Sequence, residues 1–433
     1  MSSLAGVLPD TVDVGPDGHL RLGGCDLVQV AEEYGTPLYV YDEATIRGRA
    51  RAYVSALGEA FPGESLVCYA AKAYCAPWLL RLLASEGLGL DVVSGGELYA
   101  ARHSGFPLDR VYFHGNNKGS DELRLAVEMG VRRVVVDNLE EIERLDRLES
   151  RQAVLLRVAP GVEAHTHEHV RTGVLDTKFG LSIQTGAAEE AVRTLLATRG
   201  LELVGLHAHI GSQVFEPEPY QETIERVFVF ASQMRERHGL RLDELSPGGG
   251  FGIRYTAEDD PISPADVAGV LAEAVCRGAR SYGFKEPLLT IEPGRSIVGP
   301  AAVALYTVGS VKEITGMRTY VAVDGGMADN IRPTTYGAKY SAVLANRARD
   351  NADGTYAVAG KYCESGDVLI KEAWLPRPRV GDLVAVPGSG AYQLAMASNY
   401  NLAPRPAVVA VSQGKARLVR RRETYEDLLR AEL

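Results

Sequence analysis

Residues 65–105 read SLVCYAAKAYCAPWLLRLLASEGLGLDVVSGGELYAARHSG. Two short apolar runs, SLVCYAA (65–71) and LDVVS (90–94), each lead into a helix-like stretch, PWLLRLLASEG and GGELYAARHSG. The runs do not alternate apolar and polar residues, so both of their faces are expected to be buried. Parallel strands wrapped by helices have this habit. One lysine, Lys72, closes the first run among small residues. A charged head there is costly unless it is solvated, paired or used chemically.

The same unit recurs along the chain. RVYFHG (110–115) precedes DELRLAVEMG, RRVVVDN (132–138) precedes LEEIERLDRL, and AVLLRVAP (153–160) precedes AAEEAVRTLLATRG after a long insertion. LVGLHAHIG (203–211), LDELSPGGGFG (242–252) and LLTIEPGR (288–295) complete the series. Eight strand–helix repeats predict an α/β fold, a (β/α)8 TIM barrel over 36–295. After 295 the texture changes. VALYTVGSVKEI, TYVAVDGG, DVLIKEAWLP, DLVAVPGSG and AVVAVSQGKARLV are strand-like and joined by turns. They predict a C-terminal β-rich domain, sandwich- or barrel-like, over 296–433 with residues 1–35 added to it. HLRLGGCDL and PLYVYD precede the repeats and can lend that domain strands. RETYEDLLRAEL reads as a short amphipathic helix.

Composition narrows the function. The chain has 433 residues, 46% hydrophobic and 24% charged, an ordinary globular profile. A net charge of −10 argues against a general nucleic-acid binder. No stretch approaches the roughly 20 apolar residues of a membrane span. The first residues, MSSLAGVLPD, show no secretory signal. The five cysteines are odd in number and scattered, which fits a reducing cytoplasm.

Barrel active sites lie at the C-terminal strand ends. Here those ends carry Lys72, Asp91 with Ser94-Gly95-Gly96-Glu97, His114-Gly115-Asn116-Asn117, His207 and His209 with Gly211-Ser212, Gly248-Gly249-Gly250, and Glu292-Pro293-Gly294-Arg295. Taken singly, Lys72 reads as a snorkelling surface lysine, Glu292 as a structural ion pair and GGGFG as a tight turn. On one rim they say more. A glycine run lets backbone N–H groups approach an anion, and Ser212 and Arg295 add a hydroxyl and a fixed charge. A phosphate site beside a strand-end lysine points to pyridoxal 5'-phosphate, with Glu292 facing the pyridine nitrogen and His209 stacked on the ring.

The stretches YAAKA (69–73), LDVVSGGEL (90–98), FHGNNK (113–118), HAHIGSQ (207–213), GGGFG (248–252), EPGR (292–295), DGGMADNIRP (324–333), CESGD (363–367) and GAYQ (390–393) carry a resemblance. With them the chain resembles the pyridoxal phosphate-dependent decarboxylases of the alanine racemase-like barrel fold, over nearly its whole length. The resemblance implies a carboxy-lyase that converts meso-2,6-diaminopimelate to L-lysine and CO2, the last step of lysine biosynthesis. It implies Lys72 as Schiff-base lysine, His209 on the ring, Ser212, Gly249 and Gly250 on phosphate, and Glu292 on the pyridine. Arg295 would bind substrate beside the cofactor, and Tyr392 would contact phosphate and substrate. Arg332 and Tyr336 would hold the distal carboxylate. Cys363 would be the proton donor and Glu364 would bind the distal amine, both from the second subunit of a homodimer. Two departures stand out. Tyr74 replaces a usual Asn, and AGKY precedes CESGD where GPI-like residues are common.

Rival readings remain. His207-Ala-His209 and the His165, His167, His169 tract could mark a metal-dependent barrel hydrolase, although the decarboxylase reading needs no metal and takes His207 as a packing residue. An alanine racemase would need a tyrosine opposite the lysine. A non-catalytic relative could lack Cys363 and Glu364. A decarboxylase of a related substrate, such as carboxynorspermidine, would share the cofactor shell.

Overall fold

A computed structural model describes residues 4, 6–162 and 178–433. The tract His165–His169 lies outside them. The chain forms two compact units, one of 49–252 and 261–294, the other of 1–48, 253–260 and 295–433.

The first unit is a closed parallel barrel. Its strands are Ser65–Ala70, Gly89–Val92, Val111–Phe113, Arg133–Val136, Gln152–Ala159, Leu201–His207, Glu244–Gly249 and Leu288–Glu292. Each pairs with the next in sequence, and the last closes on the first, Ile291 opposite Val67. The eight predicted repeats are these. Local chemistry marks where helices start and stop. Ser94 caps Gly95–Ser104 by accepting from the Glu97 N–H, and Gly105 ends it in the left-handed region. Ser263 and Pro264 start Pro264–Tyr282, and Gly283 ends it. Pro77–Ser85 buries Leu79, Leu80 and Leu83 completely. Truncating one of them to alanine would cost roughly 2–5 kcal/mol.

The second unit is β-rich. Its main sheet runs Val368–Leu375, Gly354–Ala359, Arg318–Val323, Ala302–Ile314, Leu38–Asp42, Ala407–Ser412 and Lys415–Arg420. Strand Leu38–Asp42 pairs antiparallel with Ala302–Ile314 and parallel with Ala407–Ser412. It therefore belongs to this unit, whereas the division at residue 36 places it with the barrel. The sheet buries Val40, Val303, Leu305, Ala385 and Val409 in one apolar cluster. The predicted C-terminal helix is Tyr425–Leu429.

Candidate active site

Glu292 ends the last barrel strand and is 6% exposed. The Ser246 hydroxyl donates to one carboxylate oxygen at 2.8 Å, and His207 Nε2 lies 3.2 Å from the other. His114 Nε2 stands 3.6 Å from Glu292 and 3.6 Å from Asp91. Burial opposes the charge on Glu292, yet the imidazoles of His207 and His114 outweigh it and hold the carboxyl well below the usual glutamate range. Asp91 goes the other way. Burial, with Glu292 nearby, pushes its carboxyl up to about 8 against the pull of Lys72. The two strand-end carboxyls are thus driven in opposite directions.

Lys72 sits in the single turn Ala71–Ala73 that follows the first strand, and it is exposed. The small neighbours have a packing cause. A Cβ on Gly294 would stand 2.9 Å from Ala70 Cβ and 3.2 Å from Ala73 Cβ. The Ala70 N–H donates to the Pro293 carbonyl at 3.2 Å, which brings the two strand ends together. Tyr74 is buried, and its carbonyl accepts from the Tyr69 hydroxyl at 2.9 Å. Cys68 and Cys75 are packing residues; burial pushes both thiols up, Cys75 to about 12.

The Gly249 N–H donates to His209 Nδ1 at 3.2 Å. Burial first, then the charges of Lys72 and Arg157, push His209 well below the ordinary histidine range. His209 is therefore a neutral ring with its proton on Nε2. The glycine run is forced by close backbone approach. A Cβ on Gly249 would lie 1.9 Å from the Glu292 carbonyl oxygen, and one on Gly250 2.2 Å from that of Gly211. Gly248 and Gly250 also have φ of +80° and +93°. Ser212 is half-buried in the adjoining loop.

In the β-rich unit, Arg295 and Arg332 are each 7% exposed. Both donate to the Tyr255 hydroxyl, at 2.6 and 2.8 Å, and Arg332 also donates to Tyr340 at 2.5 Å. Tyr392 lies under Arg295, 4.7 Å from guanidinium carbon to ring centre, and holds a φ of +58°. Tyr336 ends the short helix Arg332–Tyr336 and is half-buried. The phenols bonded to Arg332 are thus Tyr255 and Tyr340. Tyr39 ties two loops here: its hydroxyl donates to Gln393 Oε1 at 2.8 Å and lies 3.1 Å from the Asp329 carbonyl oxygen. Those loops carry Tyr392 and Arg332.

Cys363 and Glu364 are exposed in a turn anchored by Asp367, which accepts from the N–H groups of Met327 and Tyr362 at 2.7 and 2.8 Å. The Glu364 carboxylate accepts from Tyr400 at 2.5 Å. No hydrogen bond joins either residue to Arg295, Arg332 or Tyr392 among the described residues.

The barrel's donor set suits pyridoxal phosphate. It offers a strand-end amine, a glycine backbone that excludes side chains, a neutral flat imidazole and a buried ionised carboxylate. A protonated pyridine nitrogen requires such a carboxylate. The chain matches the family described as pyridoxal-dependent decarboxylase, pyridoxal binding domain, over residues 43–299. This chain belongs to the pyridoxal-dependent decarboxylases. The diaminopimelate decarboxylase of Bacillus subtilis is 49% identical to this family member over 420 residues, covering 96% of this chain and 95% of that one. That of Mycobacterium tuberculosis H37Rv is 45% identical over 429 residues, covering 96% and 95%. The crystal structure of the M. jannaschii diaminopimelate decarboxylase in complex with L-lysine superposes with a TM-score of 0.91 at 34% identity, covering 98% of each chain.

As a decarboxylase, the chain gives its two HxH histidines separate partners, Glu292 for His207 and the Gly249 N–H for His209. His207 is thus more than packing. Sequence reasoning also passed over Arg157, 8% exposed and 3.8 Å from Asp137. A charged residue inside AVLLRVAP is the same signal as Lys72 after SLVCYAA. Tyr255 and Tyr340 were passed over as well, and nothing in their local sequence marks them.

Proposed function

We propose that this chain decarboxylates meso-2,6-diaminopimelate to L-lysine and CO2, the last step of lysine biosynthesis. The observation that carries this is that one chain holds both a barrel whose residues suit pyridoxal phosphate and a pair of buried arginines in its β-rich unit. A substrate with an amino-acid group at each end needs one end to react and the other to be recognised. The high identity to diaminopimelate decarboxylases over nearly the whole chain supports the same substrate.

When bound, pyridoxal phosphate supplies the electron sink for breaking a carbon–carbon bond beside an amine. The chain's residues do the rest. Lys72 would tether the cofactor through its amine. Glu292 keeps a negative charge at the pyridine nitrogen, secured by His207 and Ser246. His209 offers its flat face to the ring. Ser212, Gly249, Gly250 and Tyr392 take the phosphate. Arg332, with Tyr336, binds the distal carboxylate; Arg295 binds substrate close to the cofactor, and Tyr392 touches substrate as well; Glu364 takes the distal ammonium. The Cys363 thiol gives a proton to the carbon that has lost its carboxylate.

Exposure of Cys363 and Glu364 supports their delivery to a second subunit, so the working form is a homodimer. The partner is a small amino acid, with no nucleic acid involved. No helix among the described residues is long and apolar enough to cross a membrane; the compartment we assign is the cytoplasm. The test is CO2 release from meso-diaminopimelate, lysine, ornithine, arginine and carboxynorspermidine. Release is expected from the first alone at comparable concentration. Faster release from any other would replace the assigned substrate.

A further inference from the structure

Tyr255 lies in the short segment 253–260 that the chain gives to the β-rich unit between two stretches of barrel. It is 5% exposed. Its oxygen accepts from Arg295 Nη1 at 2.6 Å and from Arg332 Nη1 at 2.8 Å. Its ring packs edge-on to Tyr340, centroids 5.1 Å apart at 77°, and Arg332 sits over it at 4.9 Å. The backbone is pinned. The Asp259 carboxylate accepts from the Tyr255 N–H at 2.9 Å, and Ser341 donates to the Tyr255 carbonyl at 3.1 Å.

Two buried guanidiniums repel each other unless something between them carries negative charge or lone pairs. Tyr255 is that group. An arginine has no lone pair to take the phenol's proton, and the oxygen's hydrogen bonds among the described residues are both accepted ones. Burial raises this phenol, but the two guanidiniums outweigh it and bring it below the ordinary tyrosine range.

We propose that Tyr255 is the positioning residue that joins Arg295 and Arg332 into one dicationic receptor for carboxylate-bearing ligands. Its oxygen is the shared acceptor that fixes the two like charges side by side. This rests on the assignment of Arg332 to the distal carboxylate. It goes further by making that recognition depend on a residue that need not touch the substrate. It also predicts competition: when the phenol ionises, its charge neutralises part of the receptor and carboxylates bind less well.

The probe is heptanedioate, the diacid without amines, titrated into the holoenzyme by calorimetry. Tyr255→Phe keeps the ring and removes the oxygen. It is expected to raise the Kd for heptanedioate, and the KM for diaminopimelate, about tenfold with kcat within about twofold. In an Arg332→Lys background the same change should add less than about twofold, because the tyrosine acts through that arginine. In the unmutated protein the Kd should rise with pH as the phenol, lowered by the two guanidiniums, ionises among Arg295, Arg332, Tyr340 and Tyr392. That arm holds even where Tyr255→Phe does not fold. A pH-independent Kd, an unchanged Kd in Tyr255→Phe, or a fall in kcat alone would overturn the assignment. If diaminopimelate is not decarboxylated while the heptanedioate results stand, the proposed function fails and the receptor remains.

Discussion

His207 Nε2 lies 3.1 Å from one carboxylate oxygen of Glu292 and 3.2 Å from the other. The imidazole therefore straddles the carboxylate that would meet the pyridine nitrogen. His207→Phe keeps the ring's edge-on packing against His114, 4.9 Å between centroids, but removes the donor. Losing a hydrogen bond to a charged group costs about 1.5–3 kcal/mol, so kcat/KM at neutral pH should fall about 10- to 100-fold. The pH window follows from sign. The Glu292 carboxyl is depressed in the folded protein, so its stabilising contribution is present above the unfolded glutamate value and lost as pH falls through the folded one. His207→Phe raises the folded value, and the acid limb of the rate profile should move to higher pH. A superimposable profile would dismiss the role.

Asp91 has the opposite sign. Its carboxyl is raised to about 8, burial being the main cause. Between the unfolded aspartate value and that point, the folded protein binds more protons than the unfolded chain. Stability of the cofactor-free protein should therefore fall as pH rises across this window. Asp91→Asn should flatten the fall. Urea melts of both proteins at mildly acidic and mildly alkaline pH would check it; equal slopes would count against a buried protonated Asp91.

Gly249→Ala would place a methyl 1.9 Å from the carbonyl oxygen of Glu292, its partner across the strand pair. Overpacking of this kind costs about 1–3 kcal/mol. The variant should lose thermal stability and also weaken cofactor binding, because Gly249 N–H orients His209. Dialysis against cofactor-free buffer, followed by the visible absorbance, would measure the second effect. Full retention of cofactor would separate the glycine's packing from any part in holding phosphate.

Cys363→Ala should slow turnover by about 10²–10⁴-fold, the usual worth of a positioned acid, and leave the cofactor bound. If Cys363 serves the partner's barrel, mixing Cys363→Ala with Lys72→Ala should restore activity that neither has alone. Subunit exchange without recovery would place both residues in one chain's site.

Much of this was legible because polar residues interrupt apolar runs. Lys72, His207, His209 and Glu292 stand at the ends of strands that otherwise read as core, and periodicity alone locates those ends. The repeats are legible because Ser94, Ser263, Gly105 and Gly283 punctuate the helices. Tyr255 was not legible. It follows GGGFGIR in a loop, and only the fold reveals that this loop joins the unit holding Arg332. Arg157 is legible in principle, as a charge inside the strand-like run AVLLRVAP. The partner of Arg332 was obscured by helical spacing: Tyr336 lies four residues on, yet Gly337 ends the helix and the chain turns before supplying Tyr340.

Strand Leu38–Asp42 is made early in synthesis, but its two neighbours are Ala302–Ile314 and Ala407–Ser412. At ribosomal rates of about 5–20 residues per second, it waits roughly 20–70 s for the second of them. The barrel unit has all its residues once 294 is made. Folding on the ribosome should therefore run barrel first, with a hydrophobic strand held unpaired upstream of it. A strand in that position is a target for chaperones and for misassembly between nascent chains. The last loops to be fixed are then those that Tyr39 ties together, so the arginine cluster is completed only after the barrel.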